Sequence, residues 1–361
     1  MRVLFIGRFG LSRGQTGDAT QLVRTMGALD KIGWATTFLG IANNGIFLND
    51  DTLITIEEFT VLVEKSDLVH LFLIPKALYG KIRGQLKDIP VVMSPIYWFD
   101  WARVVVGLKN AYGIANKVKR TFVFLRNSLK WWMDFREVNA ILPNSPAEAV
   151  NVLGHFRLSN DAIATPVVNA FVPPEWDLES LPRPKCLPEC EYIVYPGVFA
   201  ERKNQLQFIK AVRELPIHVV FMGGVIDKMF YNMCLKAANE RMHFVGYIPS
   251  ASKEYWAILF NARCACLASD CETPGIALLE AGYSGARPVV TEHGGTVSYY
   301  GCTAEYLEPT SAQSIKKAVW RAWERGRLSN VDRLSFGVYT WNRCVEQTIE
   351  AYRYVLKHCN K

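Results

Sequence analysis

Along this chain, apolar residues gather in short unbroken runs, and between the runs they recur every three or four positions. The runs Val3–Gly7, Ala35–Leu39, Leu68–Leu73, Val91–Met93, Ala140–Pro143 and Ala164–Val167 are the length of buried strands. Between the first two, Gln15–Ile32 places Leu22, Val23, Met26 and Leu29 on one helical face and stops at Gly33. Strands that alternate with helices in this way predict βαβ units and a mainly parallel sheet. Right-handed crossovers then make the sheet doubly wound.

The pattern breaks between Pro173 and Glu191, where PPEWDLESLPRPKCLPECE holds five prolines and no apolar period. This stretch reads as a linker over 174–190, after a first domain of 1–173. A second series follows. Strands are expected at Tyr192–Tyr195, Val219–Met222, His243–Val245, Ala265–Leu267 and Pro288–Thr291. Helices are expected at Gln205–Val212, Lys228–Asn239, Gly275–Ser284, Ala312–Arg325 and Trp341–Lys357. The fold class is therefore α/β, with two doubly wound Rossmann-like domains, the second spanning 191–340. Ligands of such sheets bind outside the carboxyl ends of the strands, which places the expected site in a cleft between the domains.

Length and composition agree with two cores, since 361 residues are half hydrophobic and 21% charged. The opening MRVLFIGRFG has too short an apolar core for a signal peptide. No apolar run approaches the roughly 18 residues of a membrane span. A cytoplasmic location is expected, either free or peripheral on the cytoplasmic membrane face. Nine cysteines with no C-x2-C pair read as reduced thiols, and no metal site is expected. The net charge of +7 is concentrated, because Trp101–Arg136 holds eight basic residues and only Asp134 as an acid. A patch of that kind implies a partner.

Two stretches carry the candidate chemistry. In CETPGIALLEAGYSGARPVVTEHGG, Glu272 and Glu280 flank a Pro274-Gly275 turn that opens a helix near Ile276. Unpaired N–H groups and the dipole at a helix start attract phosphate, and Gly275 lets an anion approach the backbone. About five residues of helix span roughly 7 Å, which suits a diphosphate at the turn, one carboxylate on a sugar and the other on a ribose. In YPGVFAERKNQL, a strand ends at Gly197 and the cations Arg202 and Lys203 stand at a helix start, where they can neutralise a leaving diphosphate.

These motifs resemble the GT-B glycosyltransferases of the large retaining group 4. The E-x7-E motif is Glu272 to Glu280. The pattern that follows it is matched by Ser284-Gly285-Ala286-Arg287-Pro288-Val289-Val290 and Gly294-Gly295. Lys203-Asn204 matches the lysine after the first strand of the second domain, and Val168–Pro173 echoes the end of the first. The resemblance implies a retaining hexosyl transfer without a metal or cofactor. The nucleotide-sugar, UDP- or GDP-linked, is itself the donor substrate, and a glycan or lipid-linked molecule is the acceptor. It implies that Lys203 and Arg202 hold the diphosphate, Glu280 the ribose, and Glu272 with Gly275 and Ile276 the transferred sugar. It further implies that Gly246-Tyr247-Ile248 seats the base, that Gly14 and Gly17 face the diphosphate, and that the helix 341–361 crosses back to the first domain.

Three positions depart from the pattern. Val198 stands where an Arg follows the glycine, Ser298 stands for the acid after the double glycine, and Ser94-Pro95-Ile96-Tyr97 lacks a His, for which Tyr97 is the substitute considered. These departures keep open a non-catalytic scaffold on a degenerate GT-B fold. The segment holding Tyr97, Trp98, Trp101, Lys117, Lys119, Arg120, Arg126, Lys130, Trp131 and Trp132 also has open readings. It suits an anionic membrane surface, a nucleic acid or anionic glycan, or a packed helical hairpin. A DNA- or protein-modifying transferase stays open with it.

Overall fold

The computed structural model describes residues 1–13, 17–42, 44–72, 80, 82–98 and 133–359. They divide into two compact units, Met1–Val168 with Trp341–Lys361, and Asn169–Thr340.

In the first unit the strands are β1 (Arg2–Arg8), β2 (Ala35–Ala42), β3 (Gly45–Leu48), β4 (Thr52–Ile54), β5 (Leu68–Phe72), β6 (Val91–Ser94), β7 (Met133–Phe135), β8 (Val138–Ile141), β9 (Phe156–Leu158) and β10 (Ile163–Ala164). The main sheet has the order β10-β8-β6-β5-β1-β2-β3-β4, with β7 and β9 paired apart from it. All its pairings are parallel except the β2-β3-β4 edge. Residues alternate between faces along a strand, so Val3 and Phe5 enter one core while Leu4 and Ile6 enter the other. Burial on both faces explains the unbroken apolar runs in the sequence. The helix Trp341–Cys359 completes the first core with Cys344, Tyr352 and Val355.

The second unit has β11 (Tyr192–Pro196), β12 (His218–Met222), β13 (Met242–Gly246), β14 (Cys264–Leu267), β15 (Arg287–Thr291) and β16 (Glu305–Leu307). Their order is β13-β12-β11-β14-β15-β16, parallel throughout. The chain runs outward from β11 to one edge and returns to build the other, so the switch point lies between β11 and β14. The proline-rich segment is packed onto this unit, since Leu178 and Leu187 are buried in its core.

Every expected strand is present, with its ends moved by up to three residues. The hairpin β3-β4 and the helix Ile56–Glu64 were not expected, although Thr55 and Glu58 form a capping box that the sequence displays. Two further helices outside the sequence reading, Pro146–Leu153 and Lys253–Asn261, are capped by Ser145 and Ser252.

Candidate active site

At the switch point of the second unit, β11 runs into the Gly197 loop. Gly197 N–H donates to Met222 O at 2.8 Å and Phe199 N–H to Gly224 O at 2.8 Å. These contacts require Gly223, where a Cβ would lie 2.1 Å from Gly197 O. Gly197 has open space, and its nearest neighbour to a Cβ would be Leu267 Cδ2 at 3.6 Å. What a side chain at Gly197 would obstruct is therefore the space outside the protein.

A single 3-10 turn, Glu201–Lys203, follows, and Asn204 starts the next helix at φ 59°. Asparagine tolerates that left-handed geometry, and its Nδ2 donates to Ala268 O at 3.0 Å and Pro309 O at 2.8 Å. The buried Tyr195 hydroxyl donates to Lys203 O and accepts from Ala268 N at 2.9 Å. Asp270 N–H donates to Arg202 O at 3.0 Å. Three loops are thereby tied around the two cations. Tyr195 and Asn204 were missed as tie points because each reads, in sequence, as an ordinary core aromatic or helix cap.

Lys203 Nζ forms an ion pair with Glu272, and both side chains are almost fully buried. Burial alone would push the Glu272 carboxyl up, but the charge and hydrogen bond of Lys203, with Arg202 behind, outweigh it and hold the group below its ordinary value. The sequence assigned Lys203 to diphosphate and Glu272 to sugar separately; here they are direct partners. An ammonium has three N–H donors, so one can serve Glu272 while others face a ligand. Arg202 is exposed and makes no ion pair among the described residues.

Gly275 caps the helix Ile276–Tyr283 with φ +81° and no side-chain cap bond. A Cβ there would meet Leu267 Cδ1 at 2.9 Å and Glu272 Oε2 at 3.3 Å, so this position is glycine for two reasons at once. The Ile276 and Ala277 amides lack intrahelical partners, whereas Leu278 N–H already donates to Gly275 O at 2.8 Å. The second Glu272 oxygen thus lies beside a helix start. Nearby, the Ser269 hydroxyl helps to hold Glu272 low, and Thr273 Oγ1 is buried with no protein partner among the described residues. The double glycine supports the same carboxylate from behind. Gly295 N–H donates to Glu272 O at 3.0 Å and Glu272 N–H to His293 O at 3.2 Å. A Cβ on Gly294 would lie 2.1 Å from Glu272 O.

Glu280 differs sharply. It is buried on the same helix, its Oε2 accepts from Tyr255 Oη at 2.5 Å, and burial pushes its pKa up to about 7 against that hydrogen bond. The sequence reading of an open ribose acceptor meets a carboxyl that already has a phenol partner. Tyr247 is 72% exposed beside Gly224, whereas Ile248 is packed against the core.

In the first unit, Gly17 begins a helix and is exposed, and Gly14 lies outside the described residues. The Gly7–Ser12 turn is held by buried Asp50, which accepts from Gly10 N at 2.8 Å, Ser12 N at 3.0 Å and Ser12 Oγ at 2.5 Å. Tyr97 packs on Phe156 and His155 with its hydroxyl buried, and burial pushes its pKa up to about 12. Its N–H donates to Glu148 at 2.6 Å. Trp98 is half-buried. Trp101, Lys117, Lys119, Arg120, Arg126, Lys130, Trp131 and Trp132 lie outside the described residues.

Residues 185–331 match the family model described as glycosyl transferases group 1. Solved structures match across the whole chain. Sucrose-phosphate synthase from Thermosynechococcus elongatus superposes with a TM-score of 0.70 at 17% identity, covering 99% of each chain. The whole chain has the GT-B fold, and its residues 185–331 match the group 1 glycosyl transferases. The lipopolysaccharide outer core galactosyltransferase WaaB, in apo form, gives this GT-B chain a TM-score of 0.64 at 12% identity, over 98% of this chain and 99% of that one. Anabaena Alr3699/HepE, solved with UDP and glucose, gives 0.56 at 14% identity, over 100% and 97%. No curated protein matches the chain. The matched family segment contains Arg202, Lys203, Glu272, Gly275 and Glu280.

Proposed function

We propose that this transferase moves a hexose from a nucleoside-diphosphate sugar to a glycan or lipid-linked acceptor with retention of anomeric configuration. The observation that carries this reading is the Lys203–Glu272 pair set against the uncapped, glycine-led helix start at the switch point. Negative charge grows on the leaving diphosphate, and a cation with fixed amides is the arrangement that stabilises it. Glu272 is held ionised below the ordinary carboxylate range, which makes it a weak base and a good acceptor for sugar hydroxyls. It orients the sugar and does not abstract the acceptor proton; the departing phosphate takes that proton as the acceptor oxygen bonds to the anomeric carbon on the same face, which gives retention. Exposed Tyr247 offers a surface for the base, and Arg202 supplies the cation that Val198 does not.

UDP-sugars are the first donors to try, since a structural neighbour was solved with UDP and glucose. The acceptor class rests on the basic, Trp-rich stretch of the sequence, which also supports a peripheral place on an anionic membrane. No helix among the described residues is long and apolar enough to cross a membrane. A thermal-shift screen against UDP-, GDP- and ADP-sugars tests the donor half without needing the acceptor. One nucleotide class should raise the melting temperature, and no shift from any of them would defeat the reading.

A further inference from the structure

Apart from the side chains used above, one cluster of potential metal ligands among the described residues stands at the carboxyl ends of β15 and β16. Glu292 and His293 follow β15, and Glu308 follows β16. One ligand atom from each lies within 4.8 Å of the other two. We propose that Glu292, His293 and Glu308 form a divalent-cation site that braces the loop behind Glu272.

Three observations carry it. The donor set is mixed, two carboxylates and an imidazole, which suits Mn2+, Co2+ or Zn2+ better than Mg2+. A metal bound at about 2.1 Å from each ligand needs them roughly 3.0–3.5 Å apart, a contraction that the exposed Glu292 side chain can supply by rotation. Among the described residues no Lys or Arg pairs with either carboxylate, and the basic partner of Glu308 is His293, whose Nε2 lies 2.5 Å from Oε2. Glu308 is also pre-set, because its Oε1 accepts from Thr310 N at 3.1 Å and Thr310 Oγ1 at 2.7 Å.

The site differs from the donor site but shares its backbone. His293 O accepts the Glu272 amide, and Gly294-Gly295 follow directly. A bound ion would join the β15 and β16 loops and stiffen the strand that holds Glu272. The ion does not enter the transfer itself, so the proposal stands apart from the donor reading.

The test uses the full chain stripped with EDTA and titrated calorimetrically with Mn2+. One ion per chain is expected, with affinity reduced at least tenfold in Glu292→Ala and lost in His293→Ala. Glu292→Ala removes an exposed side chain and should fold normally, which keeps the test readable if His293→Ala does not fold. The melting temperature of the wild type should rise with Mn2+ and that of both variants should not. Absence of saturable binding, or equal binding by wild type and Glu292→Ala, would overturn the site. A Co2+ spectrum with thiolate charge-transfer bands would do the same by assigning the metal to cysteines. Donor-induced thermal shifts measured in EDTA separate this result from the donor reading.

Discussion

The two sheets of this molecule each have a switch point, and the two are finished differently. In the first unit the switch lies between β1 and β5, and two buried polar groups described there, His70 and Asp50, are bonded within the protein. His70 is fully buried, with Nδ1 at 2.5 Å from Tyr352 Oη and Nε2 at 2.9 Å from Ser94 Oγ. Burial drops its pKa to about 3, so it stays neutral. Asp50 is likewise occupied by the Gly10–Ser12 turn. In the second unit the switch holds an ion pair, an uncapped helix start and the buried Thr273 hydroxyl, which has no protein partner among the described residues. Satisfied groups make a scaffold, whereas polar groups preorganised and left open make a site for an anion. Among the described residues, the same α/β architecture thus carries differently finished polar groups at its two switch points.

The largest effect expected from breaking this contrast is at Glu272. Glu272→Gln should lower kcat by at least about 100-fold, the scale of losing one preorganised electrostatic partner. It also strands a buried Lys203, which costs on the order of 3 kcal/mol in a melt. Adding Lys203→Met should restore much of the stability and none of the turnover. Near wild-type transfer by Glu272→Gln would remove the carboxylate from the mechanism.

The glycines sharpen the same comparison. Gly223→Ala should destabilise the second unit, since its Cβ would collide with Gly197 O. Gly197→Ala should melt as the wild type does, because nothing lies closer than 3.6 Å to a Cβ, yet lose the donor-induced thermal shift. Equal behaviour of the two variants would mean that the Gly197 loop does not approach a ligand.

Next in size is a pH effect shared by both units. Glu280 and Glu148 are each pushed up to about 7 by burial, against the hydrogen bonds they accept. A carboxyl whose pKa is raised on folding stabilises most below its unfolded value and loses that contribution as pH rises through the folded one. Melting temperature should therefore fall from about pH 4.5 to 7. Glu280→Gln and Glu148→Gln should each flatten part of that slope. Only Glu280→Gln should also change nucleotide affinity.

The smallest effect should come from Asp50→Asn, which keeps the shape of the Gly10–Ser12 anchor but has one acceptor oxygen, so one of the two backbone N–H bonds is lost. A loss of about 1 kcal/mol in stability is expected by denaturant titration, with unchanged donor binding. A collapse of donor affinity would show that the first unit's loop is as exacting as the second's.

Much of this was legible in the sequence, for physical reasons. Strands buried on both faces are continuous apolar runs, so Val3–Gly7 and Tyr192–Tyr195 announced themselves. The edge hairpin β3-β4 did not, because its strands are short and half exposed, although left-handed Asn49 and Asp50 are residue types that tolerate such a turn. The E-x7-E spacing located Glu272, Gly275 and Glu280, but not their environments. That Lys203 would pair with Glu272, 69 residues away, depends on the order β11-β14, which local spacing does not encode. The opposite shifts of the two glutamates have the same origin, since burial raises both and only Glu272 has an ammonium beside it to outweigh that rise. Gly223 and Gly294 had no visible role until the backbones they admit were in view.

The most direct test is a crystal structure of the chain soaked with a UDP- or GDP-sugar that shifts its melting temperature. The diphosphate should sit within hydrogen-bond reach of the Ile276 and Ala277 amides and of Lys203 Nζ, with the sugar against Glu272. A nucleotide-sugar bound elsewhere, with the Lys203–Glu272 pair and the Gly275 turn untouched, would contradict the assignment.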